Sequence, residues 1–133
     1  MEQIKGYYDY GIFTPVQVAA ITALRNADEL IPEVAAKYEK RRDALIDGLS
    51  RSGWIIPKPK AAMFVWAKIP EKFRNKGSSK FAEFLLEEAE VLVSPGAGFG
   101  DDGDEYIRMS LVENTERIRQ AVRQINKVIS RHS

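Results

Sequence analysis

The segment Tyr106-Ile107-Arg108-Met109-Ser110-Leu111-Val112 limits every fold open to this chain. Strand alternation sends Tyr106, Arg108 and Ser110 to one face and Ile107, Met109 and Leu111 to the other. A guanidinium keeps its charge and is costly to bury alone, so the Arg108 face must reach an anion or water. Just upstream lies Ser94-Pro95-Gly96-Ala97-Gly98-Phe99-Gly100, and just downstream a helix begins at Asn114. A planar fork of donors suits a carboxylate. Two partners fit: a carboxylate from outside the chain, or a structural ion pair with Asp101, Asp102, Asp104 or Glu105.

Composition excludes several chemistries. The chain has no cysteine, which removes disulfides, thiolate catalysis and cysteine-bound zinc. Its one histidine, His132, sits in the tail, so neither a histidine-dependent triad nor a histidine metal cluster is available. Basic and acidic residues number 20 and 19 and are interspersed, giving a net charge of +1 and no footprint of a nucleic-acid partner. At 133 residues with 44% apolar content, the chain fits one compact domain or part of a larger one. The longest wholly apolar run, Ala61 to Ala67, is too short to cross a bilayer. It reads as a strand buried on both faces. With no address or membrane span visible, cytoplasmic residence is the expectation.

Helix signals punctuate the first half. Tyr7, Tyr8 and Tyr10 crowd an extended start. Thr14-Pro15-Val16-Gln17 reads as a capping box with proline at the first helical position, and Phe13 and Val18 can staple it. Small residues on several sides of this helix, which runs through Leu24, imply close-packed neighbours. Arg25 to Leu30 reads as a polar hinge. Pro32 is then expected to open a long helix to about Ser52, stopped by a left-handed Gly53. Its stripe is Val34, Tyr38, Leu45 and Leu49. Arg41-Arg42-Asp43 reads as a solvated helix face.

The second half predicts strands at Trp54–Ile56, Ala62–Lys68, Val91–Val93 and Glu105–Leu111, with a polar loop from Glu71 to Gly77. A helix from about Ser79 to Glu88 turns Phe81, Phe84 and Leu85 inward. The last helix has the cleanest period: Ile118, Ala121, Val122, Ile125, Val128 and Ile129, with Asn114 as N-cap. The expected fold is α/β, a small mixed or antiparallel sheet covered by helices.

Three motifs weigh less than they first promise. Gly96, Gly98 and Gly100 are spaced as G-x-G-x-G and lead into an acidic turn, so no phosphate would meet a helix N-terminus there. A flexible loop approaching a ligand or another chain is the expectation. Asp101-Asp102-Gly103-Asp104-Glu105 lacks calcium-loop spacing and reads as a solvated turn. Lys80, after Ser79, sits on the wet side of an amphipathic helix, whereas an activated lysine needs a desolvated pocket.

Taken together, several segments resemble the C-terminal part of the class I and II aminotransferases, pyridoxal-phosphate enzymes of fold type I. The likeness rests on Tyr7-Tyr8-Asp9-Tyr10-Gly11-Ile12-Phe13-Thr14-Pro15-Val16-Gln17, on Tyr38 with Arg41-Arg42-Asp43, and on Ala62-Met63-Phe64-Val65-Trp66. It continues through Val91-Leu92-Val93-Ser94-Pro95-Gly96, Phe99-Gly100 and Tyr106-Ile107-Arg108-Met109-Ser110, in the family's order.

The resemblance implies that Arg108 clamps the α-carboxylate of an amino-acid substrate. Met63 and Phe64 would lie near that substrate, and Gly98 and Phe99 in the loop beside it. It implies residues 1–27 as the tail of a large cofactor-binding domain and 28–133 as a C-terminal small domain. It further implies a full-length homodimer acting on amino acids and 2-oxo acids. Tyr8-Asp9-Tyr10 stands where dicarboxylate-specific relatives keep a second arginine, and none is present. The family's Schiff-base lysine, its cofactor-stacking aromatic residue and most phosphate ligands belong upstream of Tyr7. The chain is therefore expected to be a fragment, inactive alone and not binding pyridoxal phosphate tightly. A related carbon–sulfur lyase or cyclopropane-carboxylate synthase, and a stand-alone module binding carboxylates or a protein, are the alternatives.

Overall fold

A computed structural model describes residues 6–7 and 11–132. Tyr8 and Tyr10 of the tyrosine-rich start lie outside the described residues, and Tyr7 is helical and exposed. The chain divides into two compact units, 1–36 and 37–133.

The first unit is helical. Helix α1 spans Thr14–Arg25, with Phe13 rather than Thr14 at the N-cap and no side chain bonded there. The expected capping box is therefore not formed. Gln17 instead donates its side-chain amide to the carbonyl of Ile12, before the helix. Phe13 and Val18, expected to staple this turn, are mostly exposed, and α1 buries no residue. Asn26 alone replaces the expected hinge, because its carbonyl accepts from the amides of Glu29 and Leu30 and restarts the helix at once. Helix α2 thus runs Ala27–Ser50 and contains Pro32 instead of opening on it.

The second unit holds the core. The later part of α2 buries Leu45, Ile46 and Leu49. Gly53, at φ 81°, closes the turn after it by donating to the carbonyl of Ser50. Strand β1 is Phe64–Lys68, followed by a 3-10 turn at Glu71–Lys76 and helix α3 at Gly77–Ala89. A short strand β2, Ser94–Pro95, leads through 3-10 turns at Gly96–Phe99 and Asp101–Gly103 to β3, Tyr106–Ser110. Helix α4 spans Thr115–Arg131. The sheet is antiparallel in the order β1-β3-β2, so the arginine strand is central.

Pleating decides what this sheet buries. Val65, Ala67, Ile107 and Met109 face one continuous core with Leu49, Phe81, Leu85, Ile118, Val122, Ile125 and Ile129. Each fully buried large side chain among them contributes about 1.5–3 kcal/mol relative to exposure. The opposite face, with Trp66 at 41% exposure, stays open. The apolar run is therefore not buried on both faces as expected: its alternate residues cover a surface, not a core. The opposed faces of the arginine strand are as the alternation predicts.

Two expected strands do not form. Trp54 is buried and donates its indole N–H to the carbonyl of Lys68 at 2.8 Å, so a side chain takes the place of a ladder. In Val91–Val93, Leu92 is 80% exposed, and pairing begins only at Ser94. The loop expected at Glu71–Gly77 winds into a 3-10 turn because Phe73 is buried. Helix α4 matches its period, and the Asn114 side-chain oxygen accepts from the Arg117 amide at 2.9 Å. No described helix is long and apolar enough to cross a membrane.

Candidate functional site

Arg108 sits mid-way along β3, opposite Trp66 of β1 on one side and Ser94 of β2 on the other. Its guanidinium carbon lies 4.4 Å from the ring centre of Phe64 and 4.4 Å from that of Phe99. Each such contact contributes about 0.5–2 kcal/mol, more as water is excluded. Nη2 donates to Ser94 Oγ at 3.3 Å, while Nε is buried without a partner.

None of the four candidate carboxylates answers this charge. Asp104 Oδ1 accepts from the backbone and hydroxyl of Ser78, at 2.9 and 2.8 Å. Glu105 pairs with Lys68 at 2.9 Å. Asp101 and Asp102 are exposed. Among the described residues no acidic group pairs with Arg108, so the structural ion pair left open by the sequence is not made. The cation is held between apolar faces with donors to spare, and a burial of this kind is stabilised by an anion.

Aromatic residues extend the open face around it. Trp66 stacks on Tyr106 with ring centres 5.5 Å apart and meets Phe99 edge-on at 5.7 Å. Of the residues singled out from sequence, Phe64 and Phe99 touch the guanidinium directly. Met63 is exposed just before β1, its carbonyl accepting from the Leu111 amide at 2.9 Å. A Cβ at Gly98 would meet nothing within 4 Å, so that position borders open space. Lys80, as expected, is on the wet side of α3, where it pairs with Glu83.

The glycine-rich loop is not a free flap. A Cβ at Gly96 would lie 2.1 Å from the carbonyl oxygen of Gly103, and one at Gly103 would lie 2.1 Å from that of Gly96. These two glycines are needed because the loop folds closely onto its own backbone there. The acidic turn is likewise not merely solvated, since the two hydrogen bonds from Ser78 hold the Asp104 carboxyl below its ordinary value. The sequence reading does not bring out Ser78, nor Asp104 as its partner. The available signal was Gly77-Ser78 at the true start of α3, just before the Ser79 start read from the pattern.

Arg41 and Arg42 also depart from expectation. Arg41 donates to the carbonyl of Leu111 at 3.1 Å, just beyond β3, and lies over the ring of Tyr38. Arg42 bonds the carbonyl of Pro59 as well as Glu39 and Asp43. They staple the chain around the sheet and are only partly solvated.

Comparison with known proteins places this geometry in a wider set. The profile of the family described as aminotransferase class I and II matches residues 2–125. The chain is 54% identical over 125 residues to the glutamate-pyruvate aminotransferase AlaC of Escherichia coli, covering 94% of this chain and 30% of that protein. It is 38% identical over 131 residues to an LL-diaminopimelate aminotransferase of Moorella thermoacetica, covering 98% of this chain and 33% of that one. The structure resembles an aromatic aminotransferase of Pyrococcus horikoshii with a TM-score of 0.87 at 29% identity, covering 98% of this chain and 35% of the other. The chain thus spans about a third of the length of the relatives it matches.

Proposed function

Because the chain belongs to the class I and II aminotransferases, we propose that it supplies the carboxylate-gripping part of an amino-acid aminotransferase. The complete enzyme would move an amino group from an amino acid to a 2-oxo acid, with Arg108 holding the α-carboxylate. Phe64 and Phe99 flank the grip, and Met63 and Gly98 border the substrate. Residues 1–27 belong in this reading to the large domain and 28–133 to the small domain. The working enzyme is a cytoplasmic homodimer.

One observation carries this reading: a guanidinium clasped between two phenyl rings, with no carboxylate of its own among the described residues. Two ring faces displace water around the cation, and its N–H donors run in the plane of the fork. A bidentate carboxylate fills that plane. Each charge-assisted hydrogen bond contributes about 1.5–3 kcal/mol. Fixing the acid end restrains the rest of a small amino acid, which lowers the barrier by orienting the reacting bond. An ammonium makes neither the fork nor the stack.

Pyridoxal phosphate, which the family uses, belongs in this reading to the complete enzyme, and this chain's part is not to form the imine. Lys80 is exposed and committed to Glu83, and Lys68, on the open face, is committed to Glu105. Around Arg108 stand a hydroxyl and aromatic rings, a donor set for a carboxylate and not for an imine-forming cofactor. The chain's part in the chemistry is to bind and orient.

The test is Arg108→Lys in the complete enzyme. We expect kcat/KM for amino acids to fall about 100-fold or more, from the loss of two charge-assisted bonds. Turnover of a primary amine without a carboxylate should be unaffected. Near-normal kinetics with amino acids would refute the assignment.

A further inference from the structure

Among the described residues the one buried polar side chain is Ser78, fully enclosed at the start of α3. A hydroxyl enclosed this way must be satisfied, and this one is satisfied twice. It donates to Asp104 Oδ1 at 2.8 Å and accepts from the backbone N–H of Ala97 at 3.0 Å. The Ser78 backbone N–H also reaches Asp104 Oδ1, at 2.9 Å. Three separate pieces of chain meet here: the start of α3, the Gly96–Phe99 turn and the end of the acidic turn. Gly77 is part of the fit, since a Cβ there would come within 2.9 Å of Asp104 Oδ2.

Phe99 belongs to the turn that this node anchors through Ala97. Phe99 is 54% exposed, so the core does not hold it. Its described ring contacts are the guanidinium of Arg108 and the edge of Trp66. What sets the ring over the cation is therefore the backbone beneath it. That backbone is fixed by Gly96 against Gly103 and by Ala97 against Ser78.

From this we infer that Ser78 and Asp104 form a positioning pair for Arg108, acting through the Ala97–Phe99 turn. Neither touches the guanidinium. Ser78 links helix and loop, and Asp104 holds the hydroxyl so that its oxygen is presented to the Ala97 amide. Losing either member frees the turn and lets Phe99 leave the cation. The inference draws its meaning for catalysis from the carboxylate reading of Arg108, but the geometry it claims is measurable without it.

The test uses the 133-residue chain with labelled arginine, following the Nε–H resonance of Arg108 by NMR. A proton stacked under a ring is displaced by the ring current, and Phe99→Leu calibrates the displacement due to that ring. Ser78→Ala is expected to move the resonance most of the way to the Phe99→Leu position. Because Ser78 is enclosed and its replacement risks the fold, Asp104→Ala provides the same test from an exposed position. Asp104→Asn, which keeps an acceptor oxygen, should restore the parent position. If Ser78→Ala and Asp104→Ala both fold and leave the resonance in place, the positioning pair is wrong. Acetate titration of the parent separates the two claims. A parent indifferent to acetate, with the resonance still displaced by Ser78→Ala, would end the carboxylate reading while leaving the pair intact.

Discussion

At the residue scale, Arg108 contrasts with cations elsewhere in the chain that are paired with carboxylates. Arg42, Lys58, Lys68 and Lys80 each face a carboxylate, and Arg108 faces rings. Asp104 shows how such commitments register in pH. Its carboxyl is held low by the backbone and then the hydroxyl of Ser78. A depressed folded-state value means that its stabilisation is fully present above the unfolded value of about 3.9. That stabilisation fades as pH falls through the lower folded value. Glu105, held low by Lys68, fades in the same direction. The informative comparison is thus parent against Asp104→Asn. We expect the gap between their urea midpoints to be constant from about pH 7 to pH 5 and to close below about pH 4. A gap that persisted at low pH would show that the charge on Asp104 does not matter.

At the element scale, the loop between β2 and β3 is held by what its glycines lack. Gly103 has no room for a methyl, because the nearest atom is the backbone carbonyl oxygen of Gly96. Gly103→Ala forces backbone apart, and we expect it to lower stability by about 1–3 kcal/mol, as overpacking does. Gly98→Ala meets open space and should stay within about 0.5 kcal/mol of the parent. Urea denaturation of the two variants side by side checks the contrast, and equal losses would contradict it. The same scale shows where sequence is legible. Helix α4 was readable because one face repeats and Asn114 caps it, both local signals. The two-sided strand was misread because Phe64 and Trp66 are apolar for the sake of a cation and an open face, and one-dimensional pattern cannot separate that from a core. Arg108 was legible as a charge out of place, and Phe64 and Phe99 were named through the resemblance, but their contact with the cation was not readable, since they reach it only through sheet register and loop closure. Ser78 was invisible for the same reason: its partners lie 19 and 26 residues away.

At the scale of the whole molecule, apolar surface is distributed unequally between the two units. Every buried apolar residue of the core lies in 37–133, whereas α1 buries none and leaves Phe13, Val16, Val18, Ile21 and Leu24 exposed. A helix of 12 residues is too short to be stable on propensity alone, since nucleation costs more than so few bonds return. Helix α4 has the opposite character, with Ile118, Val122, Ile125, Val128 and Ile129 buried. Local opening should therefore separate the two helices. In the chain by itself, hydrogen exchange is expected to leave amides of residues 18–25 nearly unprotected. Amides of 119–129 and of β3 should exchange only with opening of the core. The small residues Ala19, Ala20 and Ala23 of α1 fit a helix whose stability depends on surfaces packed against it. Within the complete enzyme, we expect the same amides to gain at least about tenfold in protection, the equivalent of roughly 1.4 kcal/mol. Protection of α1 equal to that of α4 in the isolated chain would mean that the first unit is stable without a covering surface.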